Sequence, residues 1–163
     1  MEDGRRVDGP TIIEEFYRAH AEAVFAFLVS LCRDRHLAED LMQDTFVKAT
    51  RSLGGYRGGN PRSWLFAIAR SVFIDHTRRR RPEPAAALDD PGMLDRDVTE
   101  VDSIERALAR LPERQRTALL LCDRAGLGYQ EVAQAVGCTP AAAKVLIHRA
   151  RVAFRSYYTE NSA

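Results

Sequence analysis

Four groups of side chains in this sequence have types and spacings that could do chemistry. Arg78, Arg79, Arg80 and Arg81 form an unbroken basic run just before Pro82. Cations at a helix C-terminus offset its dipole, but four in a row exceed what capping needs and suit contacts to phosphates. The stretch LGGYRGGNPRS at 53–63 places four glycines and a proline in eleven residues, which makes it a loop. It carries Tyr56, Arg57, Asn60 and Arg62, and Trp64 follows at once. Aromatic and guanidinium groups on such a loop suit stacking on unpaired bases and gripping of phosphates, although Trp64 fits a core position better. Lys144, His148, Arg149 and Arg151 fall on one side of a helical stretch with no acid among them. Glu39, Asp40, Gln43 and Asp44 crowd into six residues. Acids near a helix N-terminus are favoured by the dipole, and the same cluster would equally serve as a docking surface.

None of this is catalytic equipment. Residues 1–82 show no strand alternation and no catalytic Ser/His/Asp or paired-carboxylate constellation. No two cysteines have C-x-x-C spacing, and His20, His36, His76 and His148 form no ligand cluster in sequence. A non-enzyme without metal or cofactor is expected. Cys32, Cys122 and Cys138 are odd in number and far apart, which points to a reducing cytoplasm rather than a disulfide framework. The longest apolar run, Ala23–Val29, is too short to span a bilayer. The N-terminal residues lack the apolar segment of a secretory signal. The expected protein is therefore cytoplasmic and not inserted in a membrane.

The elements that must position these groups all read as helices. Ile12, Phe16, Val24, Phe27, Leu28 and Leu31 recur near helical spacing and predict a long helix from Thr11 to about Arg33. Asp34 is a possible cap for a second helix, about Leu37 to Ser52, with Ala38, Leu41, Thr45, Phe46 and Ala49 on its apolar face. A third runs from Trp64 to about Arg80 on a stripe of Leu65, Ile68, Ala69, Val72 and Phe73. A short helix is expected at Ile104–Leu111, followed by a nearly all-apolar segment over Arg116–Arg124. Residues 129–151 then read as helix, turn, helix. Tyr129, Val132, Ala133 and Val136 form one apolar face, and Gly137 stops the first helix. Thr139 caps the second, Pro140 suits its first turn, and Ala143, Ile147, Ala150 and Phe154 form its buried stripe. A capped basic helix set by a glycine turn against a shorter one is the layout of a DNA-binding helix-turn-helix, and equally of an ordinary packed helix pair.

Charge divides the chain. Residues 1–82 carry 14 basic and 11 acidic side chains, residues 83–105 one basic and eight acidic, and residues 106–163 nine basic and four acidic. The arginine bias suits phosphate but also follows from a GC-rich genome. The Pro-, Ala- and Asp-rich stretch 82–103 lacks apolar periodicity and reads as a linker. Its 22 residues would reach about 70 Å if extended. The predicted fold is all-α: two small helical domains, residues 10–81 and 104–158, joined by a flexible acidic linker over 82–103, with the helix-turn-helix in the second.

Three segments, in order, resemble the extracytoplasmic-function (ECF) class of bacterial RNA polymerase sigma factors, within the sigma-70 family. AEDLMQDTF at 38–46 is similar to the polymerase-docking helix, and NPRSWLFAIARSVFIDHTRRRR at 60–81 to the segment that melts and reads the downstream promoter element. LPERQRTALLL at 111–121, with residues 127–151, is similar to the domain that reads the upstream element. The resemblance implies that Glu39, Asp40, Gln43 and Asp44 meet the clamp helices of the largest subunit of core RNA polymerase. It implies that Arg57 and Asn60 lie on the loop that captures a flipped base of promoter DNA, with Arg62, Trp64, Arg70 and Ser71 beside them. It implies that Thr139, Ala141, Ala142, Lys144, Val145, His148, Arg149 and Arg151 face the upstream element. It implies that the acidic linker threads channels otherwise filled by nucleic acid, although solubility also accounts for its charge. An anti-sigma factor is an expected further partner, with Val145 and Leu146 as a contact.

Three departures mark this chain. Ser71 stands where the family usually has Asn, and the loop lacks an aromatic just before Trp64-Leu65. Ala141, Ala142, Val145 and Leu146 occupy recognition-helix positions where polar residues are common. Few bidentate base contacts are then available, so partial readout through DNA shape and backbone is expected. A dimeric helix-turn-helix repressor and a recombinase with a helix-turn-helix tail are the alternatives.

Overall fold

The structure, a computed structural model, describes residues 9–80 and 100–162. Within them the chain is helical, with no strand. Helix α1 spans Gly9–Cys32, α2 Arg35–Ser52 and α3 Pro61–Arg79, with a 3-10 turn at Leu53–Gly55. Helix α4 spans Glu100–Arg110, α5 Glu113–Leu119, α6 Tyr129–Val136 and α7 Pro140–Ser162. Arg81 and residues 82–99, the greater part of the expected linker, lie outside the described residues.

Local chemistry sets the helix starts. Asp34 caps α2, its carboxylate accepting from the His36 and Leu37 amides at 2.9 and 3.1 Å. Asn60 caps α3 by accepting from the Arg62 and Ser63 amides, and Pro61 takes the first helical position. That pair starts α3 three residues ahead of the expected Trp64. Helix α4 also starts early, at Glu100, with Glu100 and Asp102 in its first turn.

The first half is a three-helix bundle. Every residue of the expected α2 stripe is buried, as is every one of the α3 stripe. Phe66, outside that stripe, is fully buried and meets Phe27 of α1 edge-on at 5.2 Å. In the second half α7 packs against α4, α5 and α6. Between α5 and α6 the chain makes one π-helical turn, Leu120–Arg124, closed by the Ala125 amide on the Leu120 carbonyl at 3.0 Å. Of the nearly all-apolar segment over Arg116–Arg124, Ala118, Leu119, Leu120 and Leu121 are buried, whereas Cys122 is only half-buried. Tyr129, expected on the apolar face of α6, is 41% exposed, whereas Val132, Ala133 and Val136 are buried.

The two halves touch. Helix α3 lies against α6, α1 meets the π-helical turn, and buried residues of both halves join one apolar cluster. A 150 Å³ cavity lined by Ala23, Phe27, Ser30, Arg62, Leu120 and Arg124, among others, sits at the junction.

Candidate nucleic-acid interface

The acidic group lies on one side of α2. Ala38, Leu41, Thr45, Phe46 and Ala49 face the core, and the Thr45 hydroxyl donates to the Leu41 carbonyl at 2.7 Å. With one side so committed, Glu39, Asp40, Gln43 and Asp44 are left exposed. Three carboxylates and an amide on one helix can accept hydrogen bonds from a basic partner and attract its charge.

The loop and α3 carry the groups expected to meet a DNA strand, and most are spoken for. Tyr56 and Trp64 meet Phe16 edge-on and each other at a tilt, in an aromatic cluster with ring centres 5.0 to 6.2 Å apart. Trp64 is half-buried there. The Tyr56 hydroxyl donates to the Gly59 carbonyl, which fixes the loop. Arg57 stays exposed. Asn60, besides capping α3, donates its amide to Glu131 at the start of α6. Arg62 donates to the Ala125 carbonyl, and its guanidinium lies 6.0 Å over the Phe66 ring. Arg70 forks onto Glu113 of α5, with Nε and Nη2 each 3.0 Å from a carboxylate oxygen. Arg124 closes the same junction from the other side, donating to Ser30 at 2.6 Å and to Glu105 at 2.8 Å. Arg78, Arg79 and Arg80 are exposed at the end of α3.

Ser71 stands apart from this group. Its hydroxyl accepts from the Lys48 ammonium at 2.6 Å, and Lys48 lies 3.7 Å from Asp75. The sequence reading passed over Lys48, Glu113 and Glu131, because each is an unremarkable charge until the fold brings it to a partner far along the chain.

In the helix-turn-helix, Gly137 adopts φ 71°, ψ 51°, the left-handed conformation glycine takes without a Cβ penalty. Its amide and that of Cys138 both close on the Ala133 carbonyl. Thr139 accepts from the Ala142 amide at 3.2 Å and caps α7. Ala143, Ile147 and Ala150 are buried, which turns Ala141, Ala142, Lys144, Val145, His148 and Arg149 outward. Arg151 is held instead by Asp123, at 2.5 and 3.1 Å. Those hydrogen bonds hold the Asp123 carboxyl below its ordinary value and the Arg151 guanidinium above its own.

The comparisons with known proteins fit this layout. Residues 16–83 match the model of Sigma-70 region 2, and residues 102–154 match that of Sigma-70, region 4. The ECF RNA polymerase sigma factor SigM of Bacillus subtilis is 30% identical over 90% of this chain and 94% of its own length. The chain belongs to the ECF class of the sigma-70 family. SigE of Mycolicibacterium smegmatis, also an ECF sigma factor, is 32% identical over 92% of this sigma factor, which spans 63% of that relative's length. Among solved structures, the sigma factor RpoE in complex with the anti-sigma factor NepR, from Bartonella quintana, superposes with a TM-score of 0.72. It is 28% identical and covers 91% of this chain and 97% of its own. CnrH in complex with the cytosolic domain of CnrY gives a TM-score of 0.65 at 26% identity, over 88% of this chain and 85% of its own. Among the described residues no helix is long and apolar enough to cross a membrane, and no cluster of metal-ligating side chains occurs.

Proposed function

We propose that this sigma factor docks on core RNA polymerase through Glu39, Asp40, Gln43 and Asp44 and carries it, in the cytoplasm, to promoters read at two places. The observation that carries the docking reading is the split of α2: one side is spent wholly on the core, and the other is left as exposed acid and amide groups. The clamp helices of the polymerase largest subunit would supply the complementary surface. The factor has no catalytic task of its own, and the chemistry of transcription belongs to the polymerase.

Arg57, Asn60, Arg62 and Arg70, with the arginine run at the end of α3, would hold the opened downstream element. Extruding a base costs a few kcal/mol, and stacking and guanidinium contacts return part of it. Lys144, His148 and Arg149 would contact the upstream element. Arg151, bound to Asp123, would orient the recognition helix unless it exchanges partners on binding. In this reading the acidic stretch that begins at residue 82 joins the two domains as far as the start of α4 at Glu100, and its charge would let it occupy nucleic-acid channels of the polymerase. Control by an anti-sigma factor follows from the superposition on RpoE, solved with NepR.

Run-off transcription with purified core polymerase on genomic fragments tests the proposal. Specific transcripts that need both proteins are expected. Tight, selective DNA binding by the factor alone, with no transcript, would favour the repressor reading instead.

A further inference from the structure

We propose that Glu113 and Glu131 of the second half are built-in stand-ins for a DNA strand, so that closure of the chain and strand binding exclude one another. The inference rests on reading Arg70 and Asn60 as strand contacts. In the closed chain both are taken by carboxylates, Arg70 by Glu113 and Asn60 by Glu131. The partners lie 43 and 71 residues away in sequence, so no local helix geometry calls for either contact.

The chemistry of each contact is that of a phosphate. The Arg70 guanidinium presents two parallel N–H groups to two anionic oxygens, a fork that fits carboxylate and phosphate alike. The pair is held at the junction, with side chains 19% and 31% exposed, where water and salt screen it less than at an open surface. Thr117 donates to the same Glu113 oxygen at 2.8 Å, and the Gly128 amide donates to Glu131 at 2.8 Å. Each carboxylate is thus fixed by its own half before it meets the other. Arg62 is spent in the same way, on a backbone carbonyl of the second half. A strand arriving at the loop finds Asn60, Arg62 and Arg70 occupied together, and it can bind only when α5 and α6 leave.

The apparent affinity for a strand is then reduced by the fraction of chains that are closed. Two changes, one isosteric and one that shortens the side chain, break the same clasp from opposite sides. Glu113→Gln removes the stand-in and keeps the strand contact, whereas Arg70→Gln removes both. The full chain is titrated, without polymerase, into a fluorescein-labelled single-stranded oligonucleotide of mixed sequence, and its radius of gyration is followed by small-angle scattering. Both variants are expected to expand equally. Glu113→Gln is expected to bind the oligonucleotide about five- to tenfold more tightly than wild type, the scale of one lost charge-assisted pair. It is also expected to bind about tenfold more tightly than Arg70→Gln.

Equal affinities for the two variants, or no gain for Glu113→Gln, would overturn the proposal and leave the clasp a packing contact. Circular dichroism checks folding. Should Glu113→Gln not fold, Glu113→Asp withdraws the carboxylate by one methylene and carries the same expectation. Wild-type run-off transcription performed alongside registers any failure of the underlying functional reading separately.

Discussion

Replacing Gly137 with Ala tests whether the turn of the helix-turn-helix is held by backbone conformation alone. Gly137 sits at φ 71°, ψ 51°. An added Cβ would meet no heavy atom within 4 Å. No clash therefore contributes, and the cost reduces to placing an L-residue in the left-handed region, about 1–2 kcal/mol. For a chain of this size 1 kcal/mol moves the melting midpoint by roughly 2–4 °C, so Gly137→Ala should melt about 2–8 °C lower. Gly137→Asn should lose less, because Asn tolerates this region better. The Ala133 carbonyl still receives the amides of residues 137 and 138 in either variant, so the recognition helix keeps its setting. Well below the midpoint, affinity for upstream-element DNA should stay within about twofold, an energy of ~0.4 kcal/mol. Calorimetry and fluorescence anisotropy read the two quantities. A stability loss above about 3 kcal/mol, or Asn no better than Ala, would refute the purely conformational account.

Lys144→Ala and Arg149→Ala should each weaken DNA binding across sequences and reduce the salt dependence by about 0.9 log unit per lost phosphate contact; titrations at several salt concentrations check the slope. Val145 is 49% exposed and Leu146 half-buried beside it, so Val145→Glu with Leu146→Glu should weaken an anti-sigma partner at least tenfold, about 1.4 kcal/mol or more. Unchanged affinity in a pull-down titration would remove that contact. Because hydrogen bonds from Arg151 hold the Asp123 carboxyl below its ordinary value, the pair stabilises the fold above the unfolded carboxylate range, and this contribution is lost as pH falls through the depressed value. The pair is exposed, 39% and 42%, so screening limits it to a few tenths of a kcal/mol. Asp123→Asn should correspondingly flatten the acid limb of a melting-temperature profile while leaving its shape above neutrality unchanged.

What the sequence made legible follows one physical rule: features decided within a turn or two could be read. The α2 stripe of Ala38, Leu41, Thr45, Phe46 and Ala49 is buried as its period requires, and with it came the outward side carrying Asp40 and Asp44. Asp34 and Thr139 cap their helices with side-chain oxygens, and Gly137, lacking a Cβ, ends α6 in the left-handed conformation. The Asn60-Pro61 start of α3 was equally available, as a cap followed by a proline, but apolar periodicity begins only at Trp64 and drew the boundary there. The exposure of Tyr129 and the π-helical turn at Leu120–Arg124 depend on how α6 and α7 settle on α5, which no local pattern encodes. The contacts of Arg70 with Glu113 and of Ser71 with Lys48 pair ordinary polar residues 43 and 23 positions apart. Only the assembled chain selects them from the many charges available.

The claim on which the account most depends is that α2 offers its exposed acids to polymerase. The direct measurement is the affinity of purified core enzyme for the wild-type factor and for a variant combining Asp40→Ala, Gln43→Ala and Asp44→Ala, with melting curves taken in parallel. All three positions are exposed, so the melting temperature should stay within a few degrees, as for surface changes of about 0.5 kcal/mol. The polymerase affinity should fall by a hundredfold or more, about 2.7 kcal/mol. A stable variant that still binds core polymerase as the wild type does would contradict the account.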